Sequence, residues 1–168
     1  SHPFSSVHEP CPTEISTGQL NEQDLLISSL NEERRVFGVA SITRSIDLAK
    51  KIGARAVVIH SGMIGPNNFL ENEMRNLFKA GRRNSPEYQD LLSRIIQERA
   101  TIAEPHVKAV RKSLLEILAY AKPLRIQLGL ENRYHYFDIP LQDEMEVLLN
   151  LADPEELGFI CDIGHAQA

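Results

Sequence analysis

Five side chains able to hold a cation or move a proton stand where short apolar runs stop. Ala56-Val-Val-Ile ends on His60, Ile126 to Leu130 ends on Glu131, and Phe159 to Cys161 ends on Asp162, with His165 three residues on. A shorter candidate strand, Phe4 to His8, ends on His8. A run that is apolar along its length and polar only at its tip is the pattern of a buried parallel strand that delivers a functional group at its carboxyl end. In a parallel barrel all such ends lie on one face, so the five groups can converge. Imidazole and carboxylate without thiolate suit a divalent ion such as Mn²⁺, Co²⁺, Zn²⁺ or Mg²⁺ and do not choose among them.

Each residue also has a plainer role open to it. A strand-end histidine such as His8 or His60 serves as well as a hydrogen-bonded structural group, and Asp162 can cap the segment that follows it. Glu131 is harder to place that way. An ionised carboxylate at the end of an apolar strand needs a partner, because burying it unpaired is strongly unfavourable; the partners on offer are a metal ion and Arg133, two residues on. Tyr134, His135 and Tyr136 crowd the same loop, as pocket wall or as packing for neighbouring helices. His2 and His106 read as surface or loop histidines. Cys161 alternates to the face opposite Asp162 and is expected to pack under helices.

The elements that must position these groups follow from periodicity and punctuation. Pro10 and Pro12 end the first strand, and residues 11 to 30 show no sustained period, which predicts an extended loop with at most a helical turn. Asn31 caps a helix whose apolar face is Val36, Ala40, Ile42, Ile46, Ala49 and Ile52 and which stops at Gly53. The second strand follows at once. From about residue 66 to 121 the pattern is helical and long for one crossover, with a break at Gly81 and a restart at Ser85-Pro86. Two or three helices are expected there, with Pro105 as a kink or boundary. Pro123 introduces the third strand, and a short helix starting at Gln142 and ending near Asp153-Pro154 leads to the fourth, Gly158 to Asp162. Strands alternating with helices predict right-handed crossovers and a parallel α/β sheet.

The chain has 168 residues, 42% of them hydrophobic, enough for one domain with its own core. With 18 basic against 23 acidic residues its formal charge is -5, which disfavours a broad grip on nucleic acid. Cys11 and Cys161 form no C-x-x-C pair, so neither a disulfide framework nor a thiolate zinc site is indicated, and a reducing cytoplasm fits. No apolar run reaches the roughly 18 to 20 residues a membrane helix needs, and SHPFSSVHEP lacks the regions of a signal peptide. The chain begins without methionine, almost on a strand, and both ends read as cut.

The runs V-H-E-P, V-V-I-H-S-G, L-G-L-E-N-R-Y-H-Y and C-D-I-G-H-A resemble the third to sixth strands of the xylose isomerase-like barrels, which include sugar and sugar-phosphate isomerases and epimerases and metal-dependent apurinic endonucleases. The resemblance spans nearly the whole chain. It implies a parallel (β/α) barrel of TIM type, about half present, as a single partial domain over 1–168 with a helical insertion at about 66–121. By the same resemblance Glu131 and Asp162 match metal-binding carboxylates. His165 matches a residue that contacts substrate in the isomerases and metal in the endonucleases, and His8 and His60 match positions that bind metal in the endonucleases and line the sugar pocket elsewhere.

The implied activity is a metal-dependent isomerisation or epimerisation of a sugar or sugar phosphate, by proton transfer next to a carbonyl. Glu131 and His165 would be the catalytic groups, with His8, His60, His165 and Arg133 binding substrate. An apurinic endonuclease-like phosphodiesterase, and a non-catalytic partial barrel that is a fragment or an assembly module, are the competing readings. A whole barrel has eight strands in typically about 250 residues, and the later metal-binding His and closing Glu of the family have no counterpart up to Ala168. The missing strands are therefore expected from a longer product, a second copy or another chain.

Overall fold

The computed structural model describes residues 4–65 and 69–166. His2, and Pro66 at the expected start of the insertion, lie outside the described residues. Four strands, β1 (Ser6–His8), β2 (Ala56–Ile59), β3 (Gln127–Glu131) and β4 (Leu157–Ile160), form one parallel sheet in the order β1-β2-β3-β4. Strands adjacent in chain order and all parallel must be joined by crossovers on one side, which is how the wall of a β/α barrel is wound.

Register decides what each face presents. Val57 is level with Val7 and Leu128, and Leu128 with Leu157; Ile59 is level with Leu130. These six residues are buried, five of them at 2% exposure or less, beneath the helices. The alternate row holds His8, Val58, Gly129 and Gly158, level with one another, and then His60 and Glu131 one pleat further on. Gly129 and Gly158 leave that row without side chains at two of its positions. At Gly129 a Cβ would fall 2.5 Å from Cγ1 of Ile160, so the neighbouring strand's side chain lies across the space the glycine leaves.

Two helices, α2 (Glu32–Ile52) and α4 (Pro86–Leu124), carry most of the cover. Asn31 accepts from the Arg34 N–H at 3.1 Å to start α2, Glu32 and Glu33 face its positive end, and Gly53 closes it at φ 75°, where a side chain would be strained. Ile42, Ile46 and Ala49 are buried as expected, whereas Val36 is 48% exposed and Ile52 36%. The reason is Arg35, which turns inward in place of Val36. Its guanidinium is held by Glu32, Glu116 and the Ser113 hydroxyl.

Between β2 and β3 lie α3 (Phe69–Lys79) and α4, which runs 39 residues without a break at Pro105. Proline removes the bond to the carbonyl of residue 101. Thr101 and Pro105 are both exposed, so the lost bond falls on the solvent side while Ala103, Val110, Leu114 and Ile117 keep the buried face continuous. Pro123 likewise lies inside the last turn of α4. The remaining helices are α1 (Thr17–Glu22), in the segment expected to be loop, α5 (Gln142–Leu149) and α6 (Ile163–Ala166). No helix among the described residues is long and apolar enough to cross a membrane.

Candidate metal centre at the strand ends

Glu131 is the last residue of β3 and only 5% exposed. Its Oε2 lies 2.9 Å from Nε2 of His60, 3.7 Å from Nε2 of His8 and 3.9 Å from Nδ1 of His165. Arg133, one of the two partners expected from the sequence beside a metal ion, pairs with Glu131 at longer range than His60, with Nη1 at 3.6 Å. His60 takes the short hydrogen bond.

The histidines are oriented from behind. Nδ1 of His8 lies 3.0 Å from the Glu9 carbonyl and Nδ1 of His165 lies 2.8 Å from the Asn132 carbonyl. A carbonyl only accepts, so in both rings Nδ1 carries the hydrogen and Nε2 keeps its lone pair. This is the arrangement that prepares an imidazole to ligate. His8 and His60 meet edge-on with ring centroids 4.6 Å apart.

Asp162 follows β4. Its Oδ1 accepts from the His165 N–H at 3.1 Å, capping the short α6, and its Oδ2 is 3.8 Å from Nδ1 of His165. Asn132 fastens this end of the sheet. Its Oδ1 accepts from the Asp162 N–H at 2.6 Å and its Nδ2 donates to the Asp162 carbonyl at 2.9 Å.

Two sets of potential ligands result: His8, His60 and Glu131, and Glu131, Asp162 and His165. Within each, one donor atom per residue lies within 4.8 Å of the others, and Glu131 belongs to both. The donors are nitrogen and carboxylate oxygen, which fits a hard or borderline divalent ion. Cys161 is exposed rather than packed under helices. Among the described residues only the four-residue α6 follows it, and Phe159 on the same face is 49% exposed.

Electrostatics keep His60 neutral. Burial above all, then the neighbouring Arg133, His8 and His165, push its pKa down to about 3. Glu9 was not anticipated from the sequence. It is buried beside His60, accepting from its backbone N–H at 2.9 Å and lying 3.4 Å from its Nδ1. Burial pushes the Glu9 carboxyl up to about 7, against the pull of the His60 N–H, His8 and Arg133. Asp138 is also raised, chiefly by burial, while the His165 N–H holds Asp162 below its ordinary value.

The aromatic loop after β3 both walls the site and packs on α3. Buried Glu71 binds Arg75 at 2.7 Å, lies 3.1 Å from Nδ1 of His135 and accepts from the Tyr136 N–H at 3.2 Å. Arg75 donates to the Tyr134 hydroxyl at 2.9 Å, and the Tyr134 ring stands 6.4 Å from that of His165. Arg99 of α4 anchors the far side, bonding the carbonyls of Tyr136 and Asp138 and the Glu144 carboxylate. His106 is no loop histidine: it sits on α4 with Nδ1 2.8 Å from the Ser28 carbonyl.

The four-stranded wall has the fold of α/β barrels solved as sugar epimerases, over about half of each. No family model and no curated protein matches the sequence. Among solved structures, a D-tagatose 3-epimerase-like protein aligns with a TM-score of 0.60 and 20% identity, over 98% of this chain and 58% of that one. D-allulose 3-epimerase from Methylomonas sp. aligns at 0.60 and 12% identity, over 99% and 54%. A protein from Thermus thermophilus, solved after soaking with ZnCl2, aligns at 0.53 and 18% identity, over 97% and 58%. At such identities the likeness is one of fold, and this chain spans about half the length of those proteins.

Proposed function

We propose that the protein is a divalent-metal-dependent isomerase or epimerase of a sugar or sugar phosphate, acting by proton transfer at a carbon next to a carbonyl. The observation that carries this reading is the meeting of His8, His60, Asp162 and His165 around the buried Glu131 carboxylate. The barrel's likeness to sugar epimerases and to a zinc-soaked protein supports it. Glu131 and Asp162 would hold the ion, with imidazole nitrogens beside them. A bound divalent ion supplies Lewis-acid stabilisation of the negative charge that develops on substrate oxygen.

The chain's own side chains supply the rest. His60, neutral at physiological pH, hydrogen-bonds Glu131 and orients that carboxylate beside the substrate. His165, held through Nδ1 by the Asn132 carbonyl, has Nε2 left to meet a substrate hydroxyl. Arg133 holds an acidic group on the substrate. The remaining strands, with a second acid-base carboxylate, come from a longer product, a second copy or another chain. The unpaired Cys11 and Cys161 agree with a cytoplasmic setting.

One observation favours a second reading. The His8, His60 and Glu131 set is rich in imidazole, as in metal-dependent phosphodiesterases that act on abasic DNA. That activity would require DNA affinity that falls steeply with salt.

Calorimetric titration with Mn²⁺, Co²⁺ and Zn²⁺ tests the metal assignment. The Glu131→Gln variant should keep its circular dichroism spectrum and bind the ion about 100-fold more weakly or worse. Unchanged affinity would remove Glu131 from the ligand set.

A further inference from the structure

Beside the metal-facing strand ends runs a cleft of about 660 Å³, between α3, the start of α4 and the loop after β3. It shares Arg133 and His165 with the strand-end site, and its volume is that of a small-molecule site. Its charge is unlike that of the molecule. The chain carries -5, yet the cleft lining places Arg75, Lys79, Arg83 and Arg133 against one carboxylate, Glu71. Arg75 neutralises Glu71 and is committed to Tyr134.

Lys79 and Arg83 are free to bind, and Arg133 is ion-paired only at the long distances of 3.4 and 3.6 Å. Among the described residues Lys79 and Arg83 form no ion pair, and Arg83 only lies 6.0 Å over the Phe78 ring. Among the same residues the Arg133 side chain finds no hydrogen-bond acceptor, although its Nε is buried; its nearest carboxylates, Asp138 and Glu131, stand 3.4 and 3.6 Å away. A buried guanidinium donor without an acceptor is costly unless an acceptor arrives. A planar cation beside the strand ends and two exposed cations, Lys79 and Arg83, suit an oxyanion.

We propose that this cleft is an anion subsite that takes the phosphate or carboxylate of an acidic sugar derivative while its reacting carbon faces Glu131. The proposal rests on the isomerase reading for the reacting end and adds the class of substrate: an anionic sugar rather than a neutral one. A double-stranded nucleic acid would present phosphates too, but the chain's negative charge favours a small ligand.

The test uses metal-stripped protein in chelator and phosphate-free buffer, titrated with D-ribulose and with D-ribulose 5-phosphate. The phosphate should bind at least about tenfold more tightly. Lys79→Ala combined with Arg83→Ala, both at exposed positions away from the strand ends, should abolish that preference and leave Mn²⁺ affinity unchanged. Glu131→Gln should lose Mn²⁺ and keep the preference, so failure of the metal reading and failure of the subsite are separable. Equal affinity for the two sugars, or a preference that survives the double variant, overturns the subsite. Tighter binding of a duplex with an abasic site, lost steeply with added salt, overturns the small-molecule assignment.

Discussion

At the scale of single residues, His60 stands between two buried carboxylates with different neighbours. Glu131 meets imidazole nitrogens and a guanidinium, whereas Glu9 lies deep beside the ring with one backbone N–H to satisfy it. Raised from 4.5 to about 7, Glu9 binds its proton more tightly in the folded state. Its contribution to stability is therefore complete below pH 4.5 and is lost as the pH rises through 7. His60, depressed from 6.5 to about 3, works the other way: its contribution is present above 6.5 and fades as the pH falls toward 3. Replacing Glu9 by Gln isolates the first effect. In urea titrations from pH 4.5 to 8, Glu9→Gln should gain on the wild type with rising pH, by on the order of 3 kcal/mol in total; a constant difference would mean that Glu9 titrates normally. His8, His60, Glu131, Asp162 and His165 were legible in the sequence because each ends or follows an apolar run. Glu9 and Asn132 were not, since each stands one residue past such an end and acts through a backbone or ring partner that only the register brings near.

At the scale of elements, the strands and the caps of α2 followed from alternation and from Asn31 and Gly53. The Pro105 boundary did not materialise because sequence position says nothing about which side of a helix faces water. Gly38 shows the same blindness. The loop carrying Leu26 and Ile27 crosses α2 there, and a Cβ on Gly38 would fall 2.7 Å from the Leu26 carbonyl carbon and 2.8 Å from the Ile27 nitrogen. On an open helix Gly→Ala stabilises by about 1 kcal/mol. Here backbone stands in the way, so Gly38→Ala should instead destabilise by roughly 2 kcal/mol, read from the urea midpoint. A stabilised variant would show that the loop yields freely.

At the scale of the whole molecule, a wall of four strands has two edges, β1 and β4, while β2 and β3 are paired on both sides. Phe159 and Ile163 at the β4 edge are 49% and 68% exposed, an apolar surface that asks for cover. If a second copy supplies the missing wall, light scattering should give one defined oligomer, and the β1 and β4 amides should exchange with deuterium about as slowly as those of β2 and β3. A monomer whose edge amides exchange fast would rule out completion by this chain alone. Parallel order was legible from the alternation of strand and helix; the exposure of Cys161 was not, because the cover over a strand end is a property of its neighbours.

α3 and the first half of α4 reach the strand ends through Glu71, Arg75 and Arg99 and the loop they grip, while the second half of α4 covers the sheet with Val110, Leu114 and Ile117. Selection, or an engineer, can redraw that outer stretch and reshape the cleft beside the strand ends while the helix face that packs on the sheet stays as it is.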